Sequence, residues 1–460
     1  MNAPSLAPSL FKAYDIRGVV RDALTPQAVR SIGQAIGSLA IERGDKQAVV
    51  GRDGRLSSPE LAQAVSDGLR AAGIDVIDIG LVATPMVYFA TQVLGCGTGV
   101  MVTGSHNPPE YNGLKMVVGG EAIHGEAIQG LRTRIVEGRL AQGSGSYRQD
   151  DIRARYIERI ASDIKLARPM KIAIDAGNGV AGAFAPALFK ALGCDVVELF
   201  CEVDGTFPNH HPDPAHLENL QDLMRTLRET DCELGLAFDG DGDRLGVVTR
   251  SGHVVFPDRQ MMLFAEDILQ RQPGAEIIFD VKCTRLLGDW IRKRGGRPTM
   301  WRTGHSLVKA KLKETGAPLA GEMSGHIFFK ERWYGFDDGM YAGARLLEIL
   351  SRQADPGAVL EALPNAPSTP ELHLKTAEGE NFALIDRLRA AAKFDGAREI
   401  ITIDGLRVEW ADGFGLARPS NTTPVVVMRF EADTDDALAR IQAEFARAIR
   451  AVAPEAALPF

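Results

Sequence analysis

Ala48-Val-Val-Gly-Arg-Asp53 is an apolar run closed by aspartate. A helical stretch from Leu61 to Leu69, a glycine at position 73 and a second apolar run, Ile74-Asp-Val-Ile-Asp-Ile79, follow it. The same succession recurs twice. Lys171-Ile-Ala-Ile-Asp175 leads through Phe184–Leu192 and Gly193 to Val196-Val-Glu-Leu-Phe200, and Ile277-Ile-Phe-Asp280 leads through Leu286–Ile291 and Gly295-Gly296 to Thr299-Met-Trp301. Each copy reads as strand, helix, strand, with glycine supplying the left-handed residue that ends the helix. Copies starting near 48, 171 and 276 are too far apart and too uneven for a solenoid. They predict three separate but related α/β domains.

Beyond Pro364-Asn-Ala-Pro-Ser-Thr-Pro370 the pattern changes. Glu399-Ile-Ile-Thr-Ile403 and Val425-Val-Val-Met-Arg-Phe430 read as strands, and Thr434–Val452, rich in alanine and charge, reads as a helix. That tail is expected to form a smaller α+β domain behind a proline-rich linker. The expected domains are therefore 1–150, 151–253, 254–366 and 367–460.

Composition excludes several classes. A chain of 460 residues is too long for one hydrophobic core, and 45% hydrophobic with 24% charged residues is ordinary for a soluble globular protein. A net charge of -8 argues against nucleic acid or an anionic membrane as the main partner. Cys96, Cys194, Cys201, Cys232 and Cys283 lack C-x-x-C spacing, which disfavours structural zinc and a disulfide framework and fits a reducing cytoplasm. No signal peptide or membrane-length apolar run is present, so a cytoplasmic location is expected.

Two loops at strand ends carry the chemistry. After the apolar Gly99-Val-Met-Val102 comes Thr103-Gly-Ser-His-Asn-Pro-Pro109, a lone serine in a Gly/Pro-built loop. Thr103 and Asn107 stand where a nucleophile elbow needs glycine, so acyl hydrolysis is poorly supported. His106 is adjacent to Ser105, but adjacency alone does not pair their side chains. After Leu234–Phe238 comes Asp239-Gly-Asp-Gly-Asp-Arg244, with carboxylates two residues apart. Gly240 and Gly242 free the backbone to wrap Asp239, Asp241 and Asp243 around one cation. An EF-hand is ruled out, because Arg244 and Arg250 occupy the positions that need Gly and Glu.

Open α/β sheets collect ligands at such strand ends. A hydroxyl nucleophile beside three hard oxygen ligands suits Mg²⁺-assisted phosphoryl transfer. A phosphate on Ser105 would add about -1.5 to -2 charges. Cations must then stand nearby, and Arg244 and Lys115 are the candidates. Gly321-Glu-Met-Ser-Gly-His326 offers a carboxylate, a hydroxyl and an imidazole for sugar hydroxyls, and Arg418-Pro-Ser-Asn-Thr-Thr423 offers a guanidinium with four polar side chains for phosphate.

Together with Lys12-Ala-Tyr-Asp-Ile-Arg-Gly18, these four loops in this order resemble the α-D-phosphohexomutase family over essentially the whole chain. The resemblance implies three α/β domains with mixed sheets plus a C-terminal α+β domain around a central cleft. It implies Ser105 as the phosphoserine, also a metal ligand, with Asp239, Asp241 and Asp243 holding Mg²⁺. Glu322 and Ser324 would bind the sugar 3- and 4-hydroxyls. Arg418, Ser420, Asn421 and Thr423, with Thr422 nearby, would grip the non-reacting phosphate. Tyr14 and Arg17 would contact substrate, and Lys282 and His305 would line the cleft.

The expected reaction interconverts hexose 1-phosphate and hexose 6-phosphate through a glucose 1,6-bisphosphate-type intermediate. Lys115, His305 and His326 are candidates for the general base, with Lys115 placed first. Dual use of glucose and mannose phosphates is expected, since they differ only at the 2-hydroxyl. Phosphoglucosamine mutase, a non-catalytic phosphosugar-binding protein and a phosphatase-like hydrolase are the alternatives. The expected state is a monomer, serving nucleotide-sugar supply for surface polysaccharide.

Overall fold

The computed structural model describes residues 6–460. Four sheets follow one another along the chain. The first places Ile16–Val19, Tyr111–Val118, Thr98–Val102, Gln47–Arg52, Asp75–Leu81 and Tyr147–Gln149 in that spatial order. The second orders Val254–Val255, Leu245–Thr249, Leu234–Phe238, Lys171–Asp175 and Asp195–Leu199, and the third orders Arg297–Trp301, Glu276–Asp280, Leu319–Gly321 and Ile327–Phe329.

All three share one wiring. The strand that opens each unit is central and pairs in parallel with the next strand through an intervening helix, Ser58–Ala72, Ala185–Ala191 or Arg285–Lys293. A third strand joins in parallel on its other side, then turns back as an antiparallel neighbour. The sheets are thus mixed, as expected. The anticipated glycine caps are present, with positive φ at Gly73, Gly193 and Gly295.

The fourth sheet is antiparallel throughout: Leu372–Lys375, Val425–Ala432, Gly413–Pro419, Leu406–Trp410 and Glu399–Ile401. Helices Glu380–Ala391 and Asp435–Val452 cover it, the second capped by the Thr434 side chain at Ala437 N. The proline-rich segment is not a free tether. Ala432 N donates to Pro367 O at 3.0 Å and Thr369 N to Phe430 O at 2.9 Å, so the segment runs along the edge of this sheet.

Packing divides the chain unequally. One continuous core runs from Val49 on the first sheet, through Phe189 and Phe238 on the second, to Phe264, Phe329 and Leu363 in the third. Helix Gly339–Leu350 shows the interlock: a side-chain atom added at Gly343 would meet Phe189, Leu236 and Leu245 of the second unit. The fourth unit keeps its own core, including Leu388, Trp410, Phe430 and Phe445. It meets the third mainly through charge: Arg429 with Asp258 at 3.3 Å, Thr284 Oγ1 donating to Glu431 Oε1 at 2.6 Å, and Arg407 donating to Val281 and Cys283 carbonyls. Among the described residues the only apolar cluster across this seam is Val281 with Phe414 and Leu416, flanked by Met300. No helix among the described residues is long and apolar enough to cross a membrane.

Candidate active site

The shared wiring explains where the chemistry sits. Residues 103–110, 239–244 and 322–326 are the same hairpin tip in three repeats, each joining the third parallel strand to its antiparallel return. The aspartate that ends each opening strand braces nearby loops. Asp53 Oδ2 accepts Gly104 N at 3.1 Å, Asp280 Oδ1 accepts Met323 N at 3.2 Å, and Asp175 holds His210 Nε2 at 3.0 Å. The fourth loop, 420–424, is the hairpin tip between Gly413–Pro419 and Val425–Ala432.

Ser105 adopts the left-handed region at φ 49° and is only 2% exposed. Its Oγ donates to Asp239 Oδ2 at 3.1 Å and lies 3.2 Å from His106 Nδ1, so the neighbouring histidine does face it. Burial, then Arg244, pushes the His106 imidazole well below its ordinary range, which leaves it neutral. Gly240 is required here, since a Cβ on it would lie 2.3 Å from the Ser105 carbonyl oxygen. Arg17 donates to Gly104 O at 2.5 Å and also binds the Asn107 side chain and Asp15.

Asp239, Asp241 and Asp243 are fully buried, with one carboxylate oxygen from each within 4.8 Å of the others. Among the described residues Asp241 Oδ1 and Asp243 Oδ1 have no hydrogen-bond partner. Buried carboxylate oxygens without donors are costly unless a cation joins them. The donor set is three hard oxygens beside a hydroxyl, which fits Mg²⁺. Burial, then Asp241 and Asp243, raises the Asp239 carboxyl well above the usual range. Burial opposes ionisation of Asp241 too, but Lys115 and the Thr84 hydroxyl hold it low.

Lys115, placed first among the candidate bases, is paired with carboxylates. Its Nζ lies 2.8 Å from Asp241 Oδ2 and 2.5 Å from Asp243 Oδ2, with 3% exposure. Burial disfavours its charge, yet Asp241, Asp243 and Asp239 keep the amine protonated well above the ordinary lysine range. A lysine so held supplies positive charge to the cluster.

The third loop is bound to the second. Arg244 and His326 form an isolated antiparallel bridge, and Arg244 Nε donates to His326 Nε2 at 3.1 Å. Glu322 is buried, accepting Gly304 N at 3.1 Å and the Ser324 hydroxyl at 3.2 Å, and burial raises its carboxyl. His305 opens helix His305–Thr315, and burial, then Lys309, depresses its imidazole well below the usual range.

On the last unit, Arg418 Nε donates to Asp404 Oδ2 at 3.0 Å while its buried Nη2 has no partner. Ser420 Oγ gathers the amides of Thr422 and Thr423. Asn421 reaches across to Tyr14, donating to its hydroxyl at 2.7 Å, and Tyr14 packs edge-on to His305. Lys282 is engaged by Glu371 at 2.6 Å. Every side chain singled out from sequence thus lies on this cluster of loops or on elements packed against it.

Sequence reasoning missed Arg55, Thr84 and Asp337. Arg55, 1% exposed, donates to the carbonyls of Ser105, Asn107, Pro108 and Tyr111 and pairs with Asp53 at 3.3 Å. It is the clamp that shapes the serine loop. Its only sequence signal is its place just after a strand-ending aspartate. Arg55→Met removes these bonds and leaves Asp53 without its cation, an expected loss of about 3–5 kcal/mol. Calorimetry should show a clearly lowered first transition; an unchanged midpoint would mean the loop keeps its shape without the clamp.

A buried serine facing clustered carboxylates, with Arg244 and Lys115 beside them, is the arrangement of a phosphotransferase. Comparison with known proteins agrees. The domain families described as phosphoglucomutase/phosphomannomutase alpha/beta/alpha domains I, II and III match residues 8–141, 154–252 and 256–366, and the corresponding C-terminal domain family matches 371–448. Phosphoglucomutase of Neisseria meningitidis is 58% identical over 444 residues, covering 96% of each chain. Phosphomannomutase/phosphoglucomutase of Pseudomonas aeruginosa is 56% identical over 459 residues, covering 100% of this chain and 99% of its own. A crystal structure of a phosphoglucomutase/phosphomannomutase family protein from Burkholderia thailandensis superposes with a TM-score of 0.95 at 64% identity, covering 99% of this chain and 100% of that one. The chain belongs to the phosphoglucomutase/phosphomannomutase family, enzymes that interconvert hexose phosphates.

Proposed function

We propose that this protein interconverts the 1- and 6-phosphates of glucose and mannose through a phosphoserine at Ser105 and a hexose 1,6-bisphosphate. The observation that carries the proposal is the Ser105 hydroxyl 3.1 Å from Asp239 inside a buried carboxylate cluster, with Arg244 and Lys115 as flanking cations. Asp239, Asp241, Asp243 and the phosphorylated Ser105 would hold Mg²⁺, which supplies charge neutralisation for the transferring phosphoryl group when bound.

The residues then divide the work. Arg418, with Ser420, Asn421, Thr422 and Thr423, grips the non-reacting phosphate, while Glu322 and Ser324 take sugar hydroxyls; Tyr14, Arg17 and Lys282 line the approach. The bond between phosphorus and Ser105 Oγ breaks as a bond forms to the sugar oxygen. The proton of that hydroxyl passes to His326 Nε2, and Arg244 and Lys115 stabilise the spreading negative charge. The bisphosphate turns end for end, Ser105 Oγ takes its other phosphoryl group as that P–O bond to the sugar breaks, and the freed sugar oxygen recovers the proton from His326. His106 and His305, neutral and close by, complete the polar lining.

The reading includes a cytoplasmic monomer with glucose 1,6-bisphosphate as activator, and units divided near 150, 253 and 366. A phosphorus NMR time course tests it, with Mg²⁺, a trace of glucose 1,6-bisphosphate and the 1-phosphates of glucose, mannose and glucosamine in turn. Conversion of the first two to 6-phosphates is the expected result. Turnover of glucosamine phosphate alone would replace the substrate assignment, free phosphate would mean a hydrolase, and no change would leave a binding protein.

A further inference from the structure

Asp337 is fully buried and plays no part in the reading above. It is bridged to Phe328, two residues after His326, so strand pairing sets it beside the histidine. Its Oδ1 accepts Lys309 Nζ at 2.8 Å, and that amine sits 4.1 Å from the Tyr88 ring centre. Its Oδ2 lies 3.0 Å from His326 Nδ1 and 4.0 Å from His305 Nδ1. That approach is an ion-pair distance: among the described residues neither Asp337 Oδ2 nor His326 Nδ1 has a hydrogen-bond partner. The next residue, Asp338, fixes the segment by accepting the Tyr156 hydroxyl and capping helix Gly339–Leu350 at Tyr341 N.

The opposite ring nitrogen decides which tautomer this arrangement selects. An arginine Nε always carries hydrogen, so the 3.1 Å contact from Arg244 Nε requires a lone pair on His326 Nε2. The proton of neutral His326 therefore belongs on Nδ1, facing carboxylate. Two carboxylates are within reach there, Asp337 at 3.0 Å and Asp243 at 3.4 Å. Asp243 already binds Lys115 and belongs to the candidate metal cluster, which leaves Asp337 as the carboxylate committed to the ring.

We propose that Asp337 is a positioning residue: it holds the Nδ1–H tautomer of His326 and so keeps the lone pair on Nε2, where Arg244 Nε donates in this structure and where the mutase reading puts the proton of the sugar hydroxyl. Lys309, steadied on Tyr88, keeps the carboxylate in place. The logic is that of an aspartate orienting a catalytic imidazole, where loss of the carboxylate charge costs turnover by leaving the wrong tautomer. The proposal rests on the mutase reading for its catalytic consequence, but the tautomer itself does not.

The test uses the full-length protein with ¹⁵N-labelled histidine, His326→Gln identifying the resonances. In the unchanged protein His326 should show a protonated Nδ1 and a lone-pair Nε2. In Asp337→Asn the two nitrogens should exchange roles or average, with kcat reduced about 10²-fold or more and KM changed by less than about threefold. On a His326→Gln background the same substitution should cost less than about twofold, since its effect runs through the ring. An Nε2–H tautomer in the unchanged protein, an unaltered nitrogen pattern in Asp337→Asn, or full additivity of the two substitutions would each overturn the proposal. A protein inactive on every sugar but carrying the Asp337-dependent tautomer would refute the mutase reading and leave the positioning intact.

Discussion

Ser105→Ala is expected to fold normally and to lose at least about 10³-fold in turnover, because it removes the atom proposed to carry the phosphoryl group. The structure separates this loss from unfolding. The loop is held by Arg55 on its carbonyls, by Asp53 on Gly104 N and by Thr103 Oγ1 on Ser105 N, and none of these uses the Ser105 hydroxyl. The side chain gives up only its contacts with Asp239 and His106. Alanine and serine face the same left-handed backbone requirement at φ 49°, so little new strain arises. Steady-state rates, a thermal melt and protein-bound ³²P after incubation with labelled bisphosphate check the expectation together. An alanine variant that still turns over within tenfold of the parent, or still takes up label, would place the nucleophile elsewhere.

Asp241→Asn carries the second largest expected effect. Asp241 connects three things at once: its carboxylate takes Thr84 Oγ1 and Lys115 Nζ, its backbone oxygen takes Thr84 N at 2.9 Å, and its Oδ1 is left open. Lys115 keeps this carboxyl below the ordinary range despite burial, so it is ionised at any pH at which the enzyme works. Asparagine keeps the shape but removes the charge. Lys115 is then balanced by Asp243 alone, and the cluster loses one of three anionic ligands. Mg²⁺ affinity read by calorimetric titration should fall about 10²-fold, with activity falling about 10²- to 10³-fold at fixed Mg²⁺ and recovering partly at high Mg²⁺. Undiminished Mg²⁺ binding would put the cation elsewhere.

Much of this was visible in the chain. The strand-ending aspartates and the glycines after each helix marked the repeated unit, and the functional loops all occupy hairpin tips, where local turn chemistry is written in consecutive residues. What escaped reading depends on partners far apart. Lys115 reads as an available amine until folding brings in carboxylates 126 and 128 positions away. Arg55 reads as a solvated turn residue because the four carbonyls it binds carry no side-chain signature. Asp337 meets His326 only through a short strand pairing. The proline-rich stretch suggested a loose tether because composition does not reveal that Thr369 pairs with Phe430.

The unequal division of the cores has a thermal consequence. The first three units share one apolar interior, so separating them would expose hydrocarbon and raise the heat capacity. The fourth unit meets them across ion pairs and backbone carbonyls, with a small apolar cluster of Val281, Phe414 and Leu416 on the seam. Opening along that seam exchanges protein partners for water and uncovers little hydrocarbon. Such a motion carries a small heat-capacity change, so its enthalpy is nearly the same at every temperature and its equilibrium constant follows a straight van 't Hoff line over the range in which the molecule is folded.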